Sequence, residues 1–434
     1  MGVSRGRAVS QVSRLAPLQH PRFRALFLAG ALSWYGDYLT LPALLVLGYQ
    51  LGGQTGVAWV SFVTVAPLLF LLPLGGRLGD QGERRRRLIA LDLARAGLGA
   101  AVVVGAVGHS LPVLLVAVGL SRGAMALYDP GRRRLLPALL PGRLVPQGSS
   151  LLSAVGESSI VIGPALGAAL LLVTKAEILV AVDSLTFLAS ALLLVRVGPH
   201  PVVGDPERAA ARGEAAGFSR RLLDGFGLLR RETGTRIFAW QLFCAGVGAA
   251  GLRVYFVIIA RHVLHVHVQE VGLLYLCVGL GAVAATLLAV WRSDGRAWWI
   301  VALGVLTTVG VLIDGTTRNG FVVIGALVAL AGAMALAEAW GLTRIQVMTP
   351  PRGVGQAMGA ILWCAYAGQA VGAAVAGVMS VHLPRATFFV AYAVVTIGGV
   401  MLLSIPALPD LLHRRQRRSE AEPAPDDPPG WECQ

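Results

Sequence analysis

Gly76-Arg77-Leu78-Gly79-Asp80-Gln81-Gly82-Glu83-Arg84-Arg85-Arg86-Arg87-Leu88 is a short polar stretch between two long apolar runs, near 55–78 and 87–108. Four consecutive arginines do not sit in hydrocarbon, and each flanking run is as long as the ~20 residues that carry a helix across a bilayer. The stretch reads as a surface loop joining two membrane-spanning helices. Outward from it the pattern repeats. Further apolar runs near 24–50, 111–130, 147–173, 176–197, 236–261, 268–291, 296–314, 319–341, 354–381 and 385–405 make twelve predicted spans.

Arginine marks every second connection. Arg132, Arg133, Arg134 and Arg143 follow the fourth run, and Arg208, Arg212, Arg220, Arg221, Arg230 and Arg231 follow the sixth. Arg414, Arg415, Arg417 and Arg418 follow the last run, and Arg5, Arg7 and Arg14 precede the first. The alternate connections hold only Lys175, Arg261, Arg318 and Arg385. Basic loops stay in the cytoplasm, so both termini are predicted there, with the chain multi-pass in the cytoplasmic (inner or plasma) membrane. The first run is too long for a signal-peptide core and no small-residue site closes it. The predicted organisation is a cytoplasmic tail 1–22, a six-helix bundle 23–197, a cytoplasmic linker 198–235, a second bundle 236–405 and a partly disordered tail 406–434. Part of the linker, around 216–231, reads as an amphipathic helix on the inner surface.

Composition points the same way. Hydrophobic residues make up 55% of the 434 and charged residues 14%, against about 25% charged in soluble domains. Mean hydropathy is +0.68. The predicted class is an all-α polytopic membrane protein. The net charge of +14 lies in the loops, and no basic stretch is interleaved with aromatics, which argues against nucleic acid as a partner. Cys244, Cys277, Cys364 and Cys433 show no metal-type spacing. Without a phosphate loop, an H-E-x-x-H or a triad, neither an enzyme nor a metal or cofactor is predicted. The expected partners are a small-molecule substrate and membrane lipids, and the chain reads as monomeric.

Six and six spans about a central linker are the layout of repeat-built transporters. A charge at the bilayer centre costs at least ~2.5–3.5 kcal/mol, so each charge within a run needs a reason. Those charges are Asp37, Asp92, Arg95, Arg122, Glu157, Asp183, Arg253 and Glu338. Asp92 and Arg95, three apart on one helical face, read as a structural pair. Asp183 in AVDSLTF reads as part of a local polar network. Asp37 and Glu157 have no basic neighbour in sequence and are candidate proton-coupling acids, with Arg122 as the partner of either. Arg253 and Glu338 read as a pair in the second half. Tyr35, Tyr255, Tyr366 and Gln369, together with Arg253 and Glu338, are candidates to line a substrate cavity. Glycine-rich runs such as 368–377 read as close helix packing.

The opening stretch resembles the loop motif of the major facilitator superfamily, G-x-L-a-D-r-x-G-r-k-x-x-l. Gly76, Leu78, Asp80, Arg84, Arg85 and Leu88 match it, Gly79 fits, and Gln81 and Glu83 depart. The resemblance covers the whole chain. It is nearest to the branch of enterobactin-type siderophore exporters and macrolide or multidrug efflux pumps, where a first-span S-x-x-G-D recurs. Here that segment is Ser33-Trp34-Tyr35-Gly36-Asp37. Arg122 resembles the family's buried fourth-span arginine. Gly156, Gly163, Pro164 and Gly167 resemble the exporter motif of the fifth span, with Ser159 and Ala168 where glycine is usual. Pro351-Arg352-Gly353 with Met358-Gly359 resembles a further stretch of the branch, while the second copy of the loop motif near Ser293-Arg296 is degenerate.

The resemblance implies a twelve-helix major facilitator fold and alternating access. It implies that Gly76, Asp80, Arg84, Arg85 and Asp129 form a conformational switch, with Asp80 facing a helix N-terminus of the other half and Arg84 pairing with Asp129. It implies that Gly163, Pro164 and Gly167 serve close packing, and that Arg122 tunes Asp37 or Glu157. The expected function is efflux of a small amphiphilic compound, drug or siderophore-like, in antiport with protons and driven by the proton gradient. A lipid or lysolipid translocator, a proton-coupled importer and a non-transporting membrane sensor are the alternatives.

Overall fold

The computed structural model describes residues 15–71, 84–133, 135–198, 224–227, 233–262, 272–291, 297–317, 319–348 and 354–404. Among them there is no strand. The linker 198–235 is described only at its ends and at 224–227, and the tail 406–434 lies outside the described residues.

The first helical stretch, Pro21–Val63, holds the first span and the start of the second. Pro21 opens it at a position where its missing N–H has no acceptor to serve. Gly52 (φ −147°, ψ 17°) and Gly53 (φ 59°, ψ −143°) leave helical geometry in its interior. Gly53 lies in the left-handed half of backbone space, which favours glycine. There the chain folds back, and Gly56 comes to lie directly against the carbonyl of Gly48. The second span continues as a helix over 66–71.

The third to sixth spans are Arg84–Val107, Leu111–Arg133, Val145–Leu171 and Ala176–Val195. The short helices Leu136–Leu139 and Gly142–Leu144 join the fourth to the fifth. The seventh to twelfth are Thr233–His262, Gly272–Trp291, Ala297–Thr316, Gly320–Met348, Val354–His382 and Arg385–Ser404. Large apolar side chains point outward along these helices. Phe70, Val104, Leu185, Leu192, Val394 and Phe321, the last 89% exposed, are among them. An apolar outer wall on helices of spanning length suits lipid, not water.

Helix pairing repeats between the halves. The first span packs on the fifth and sixth, and the seventh packs on the eleventh and twelfth. The third meets the fourth and sixth as the ninth meets the tenth and twelfth. Glycines set the closest of these approaches. Gly163 and Gly167 of the fifth span lie against the backbone of Tyr38 and Leu39, and Gly368 and Gly372 of the eleventh lie against that of Phe243 and Val247. Gly163 and Gly167 are two of the three residues, with Pro164, that the resemblance assigns to close packing.

The core is one-sided. At the end marked by the Gly52-Gly53 turn, one continuous apolar cluster joins both halves. It runs from Leu44, Leu47 and Val57 through Leu114 and Leu179 to Tyr255, Phe256, Tyr275, Val323, Ala376, Phe388 and Phe389. Gly377 of the eleventh span meets Ala58 of the second there, and the fifth span packs on the eighth. At the opposite end the clusters of the described residues are separate. Phe23, Leu26, Leu88, Tyr128, Leu139 and Leu152 form one within the first half. Phe238, Ala357, Ala360 and Ile361 form another within the second.

Candidate functional site: a buried charge cluster

The segment Ser33-Trp34-Tyr35-Gly36-Asp37 lies in the middle of the first span, and helical periodicity places Ser33 and Asp37 one turn apart on a buried face. Arg95 of the third span reaches both. One Nη of its guanidinium pairs with the Asp37 carboxylate, and the other donates to Ser33 Oγ at 3.0 Å. Arg122 of the fourth span approaches from the other side. Its Nη1 stands 3.5 Å from Asp37 Oδ1 and its Nη2 donates to the Asp37 carbonyl at 3.1 Å. Asp37, Arg95 and Arg122 are all at most 6% exposed. One carboxylate thus ties three helices together, and the two cations share it.

The geometry revises the sequence expectation for Arg95. Asp92 and Arg95 do not pair with each other. Asp92 instead accepts hydrogen bonds from Ser190 Oγ of the sixth span at 2.6 Å and from Tyr128 Oη of the fourth at 3.2 Å. The face shared by Asp92 and Arg95 touches three neighbouring helices: Asp92 bonds the fourth and sixth, while Arg95 bonds the first. Arg95 also lies 4.0 Å above the ring of Phe187, on the sixth span. Asp183, one turn before Phe187, accepts from Thr186 Oγ1 at 3.2 Å. It abuts Gly36, where any side chain would run into Asp183 Oδ1 and Thr186 Oγ1.

A third cation is buried toward the opposite end. Arg132, fully buried, lies 3.3 Å from the ring centroid of Trp34 and pairs with Asp129 at 3.1 Å. Its Nε and Nη1 have no hydrogen-bond partner, so the Trp34 ring supplies the remaining stabilisation. Asp129 is therefore held by Arg132, one turn along its own helix. Arg84 was the expected partner, but its side chain lies outside the described residues, as do Gly76 and Asp80. Arg85, also expected in the switch, bonds the last carbonyls of the sixth span, Leu194 and Val195, both at 3.0 Å. A cation there completes the helix C-terminus.

The remaining candidates fall in different places. Glu157 is exposed on the fifth span and joins neither ion pair of Asp37. Tyr35 donates to Ser158 Oγ at 3.0 Å and links the first span to the fifth. Arg253 of the seventh span donates to Gln369 of the eleventh at 2.8 Å. Arg253 and Tyr275 line a gap of about 10 Å³ whose other walls are Leu41, Ser61 and Thr64 of the first half. Tyr255 belongs to the apolar cluster that joins the halves. It is fully buried at the shared end, its ring 5.6 Å from Phe388 and 5.1 Å from Phe389. Tyr366 is half-buried on the eleventh span, and the side chain of Glu338 lies outside the described residues.

The second half holds a cavity of about 40 Å³ lined by Phe238, Gln241, Leu242, Thr307, Met334 and Tyr392. Its walls are apolar and aromatic with a few neutral polar groups, as in sites for small organic molecules. Sequence reasoning missed Arg132 because it read as one more loop arginine. The signal was the Trp34 ring, a large apolar surface with no assigned partner.

Comparison with known proteins places this geometry. The family model described as Major Facilitator Superfamily matches residues 26–260 and again 238–432. An uncharacterised MFS-type transporter, y4rN of Sinorhizobium fredii, is 27% identical over 91% of this chain and 98% of its own. BacE of Bacillus amyloliquefaciens, a protein named for bacilysin export, is 24% identical over 88% of this chain and 93% of its own. Among solved structures, the nucleoside transporter NupG superposes with a TM-score of 0.66 at 12% identity, over 88% of this chain and 99% of that one.

Proposed function

The chain belongs to the major facilitator superfamily, and from that premise we propose that it is a proton-coupled exporter of a small amphiphilic compound, drug-like or siderophore-like, working by alternating access. The observation that carries the reading is the one-sided core. The halves share a continuous apolar seal at the Gly52-Gly53 end and, among the described residues, keep separate cores at the other. Such a molecule admits a solute from one side only, and rocking the halves exchanges which side. With both termini in the cytoplasm of a cell whose inner membrane holds the chain, the sealed end is external and this state faces inward.

Proton coupling enters through the cluster around Asp37. Burial of two guanidiniums on one carboxylate makes the first, third and fourth helices sensitive to any change of charge among them. Export as the direction is supported by the exporter-type residues Gly163, Pro164 and Gly167 and by the likeness to BacE. The cargo contacts fall to the neutral cavity around Gln241 and Met334 and to Arg253 and Gln369 at the seam. The chain itself catalyses no bond chemistry and draws on the proton gradient in place of a cofactor.

The test uses everted membrane vesicles acidified inside and a pH-sensitive dye, with a panel of amphiphilic drugs, siderophores and lysolipids. A compound that dissipates the gradient with the wild-type chain and not with Asp37→Asn establishes antiport and names the cargo class. No response to any compound removes this reading.

A further inference from the structure

The buried acids of the first half are held in three different ways. Asp37 shares two guanidiniums, Asp92 accepts two hydroxyls, and Asp183 accepts from Thr186 alone. Asp183 is 8% exposed, and none of the ion pairs of the described residues, taken to 4.0 Å, includes it. A carboxylate withdrawn from water without a cation is strongly disfavoured, and it is relieved by a bound proton or by capturing a cation. Both means of relief are close by. Gly36 puts no side chain between Asp183 and the first span, so Asp183 lies against the backbone beside Asp37. Arg95 rests on Phe187, one helical turn from Asp183 on the same face of the sixth span.

We propose that Asp183 is the residue that carries the transported proton, and that its release hands Arg95 from Asp37 to Asp183. This inference rests on the proton-coupled reading above and assigns its proton to a residue. In the present state Asp183 is a neutral carboxyl. Asp37, Arg95 and Arg122 then sum to one positive charge. When the O–H bond of Asp183 breaks, the proton passes to water. The carboxylate left behind draws Arg95 along the Phe187 ring, Asp37 keeps Arg122, and the cluster becomes electroneutral. The groups facing Asp183 are Asp37 of the first span, Arg95 of the third, Arg122 of the fourth and Thr186 on its own helix. Glu157, on the fifth span, is exposed and takes no part. Losing Arg95 loosens the first span from the third, and this is how one proton reaches a motion of helices.

The experiment is infrared spectroscopy of the full-length protein in lipid nanodiscs near neutral pH, which needs neither a cargo nor a gradient. The wild type is expected to show a protonated-carboxyl C=O band that shifts in heavy water. Asp183→Asn, near-isosteric and still able to accept from Thr186, loses that band. Asp183→Glu restores one at a shifted frequency, and Glu157→Gln leaves it unchanged. Asp37→Asn frees Arg95, so Asp183 ionises and the band disappears there as well. A wild type without the band, or a band that survives in Asp183→Asn, overturns the assignment. Its persistence in Asp37→Asn overturns the hand-over of Arg95. Silence of the vesicle assay sinks the exporter reading and leaves this spectrum to be judged by itself.

Discussion

At the scale of single residues, the molecule spends its polar chemistry on few contacts. Asp37 is the counter-ion of two buried arginines. Removing one member of a buried ion pair typically costs about 3–5 kcal/mol, because the survivor stays buried and unpaired. Asp37→Asn is therefore expected to lower the detergent-solubilised melting temperature well beyond the effect of Glu157→Gln, whose carboxyl is exposed. Equal melting temperatures contradict the cluster. Trp34→Leu strips the ring from Arg132, and the expected loss is smaller, about 0.5–2 kcal/mol. The same thermal scan ranks the two substitutions. Sequence alone offered Arg122 as the partner of Asp37 or Glu157, because each is an isolated charge in its own span, and did not choose between them. It misassigned Arg95, because spacing along a helix tells which residues share a face and not which helix that face will meet.

At the scale of elements, two glycine pairs hold helices at backbone distance. A Cβ at Gly167 would strike the Leu39 carbonyl, and one at Gly372 the Val247 carbonyl. Backbone cannot step aside as a flexible side chain can. Gly167→Val and Gly372→Val are expected to abolish recovery of folded, monodisperse protein in size-exclusion chromatography. Gly359→Ala, with open space around it, is expected to behave as the wild type. Gly53→Ala places a Cβ in left-handed backbone and is expected to destabilise by about 1–2 kcal/mol. The spans were legible from hydropathy and loop charge. The reversal at Gly52-Gly53 falls in the gap between the runs near 24–50 and 55–78, but the contact of Gly56 with the Gly48 carbonyl that it produces was not legible, since close backbone approach leaves no hydropathy or charge signal.

At the scale of the whole molecule, the seal at one end predicts what reagents can reach. Ala58 is buried against Gly377 where the halves meet. A cysteine introduced as Ala58→Cys is expected to resist a membrane-impermeant maleimide applied from the sealed side. Adding Gly377→Leu wedges the second and eleventh spans apart and is expected to raise that labelling several-fold. Unchanged labelling would mean that the seal lies elsewhere. Cys244 is buried, and the readout is taken with Cys277, Cys364 and Cys433 replaced by serine.

The buried ion pairs described above all lie in the first six helices, whereas the cavity around Gln241, Thr307 and Met334 belongs to the last six and is lined by neutral groups. Drift in the cavity wall therefore leaves the electrostatic balance intact. A substitution at Leu242 or Met334 reshapes what is gripped without stranding a charge, while most substitutions at Asp37, Arg95 or Arg122 do strand one. Lineages descending from such a chain are free to diversify in diet through one half of the gene and are held to a narrow vocabulary in the other.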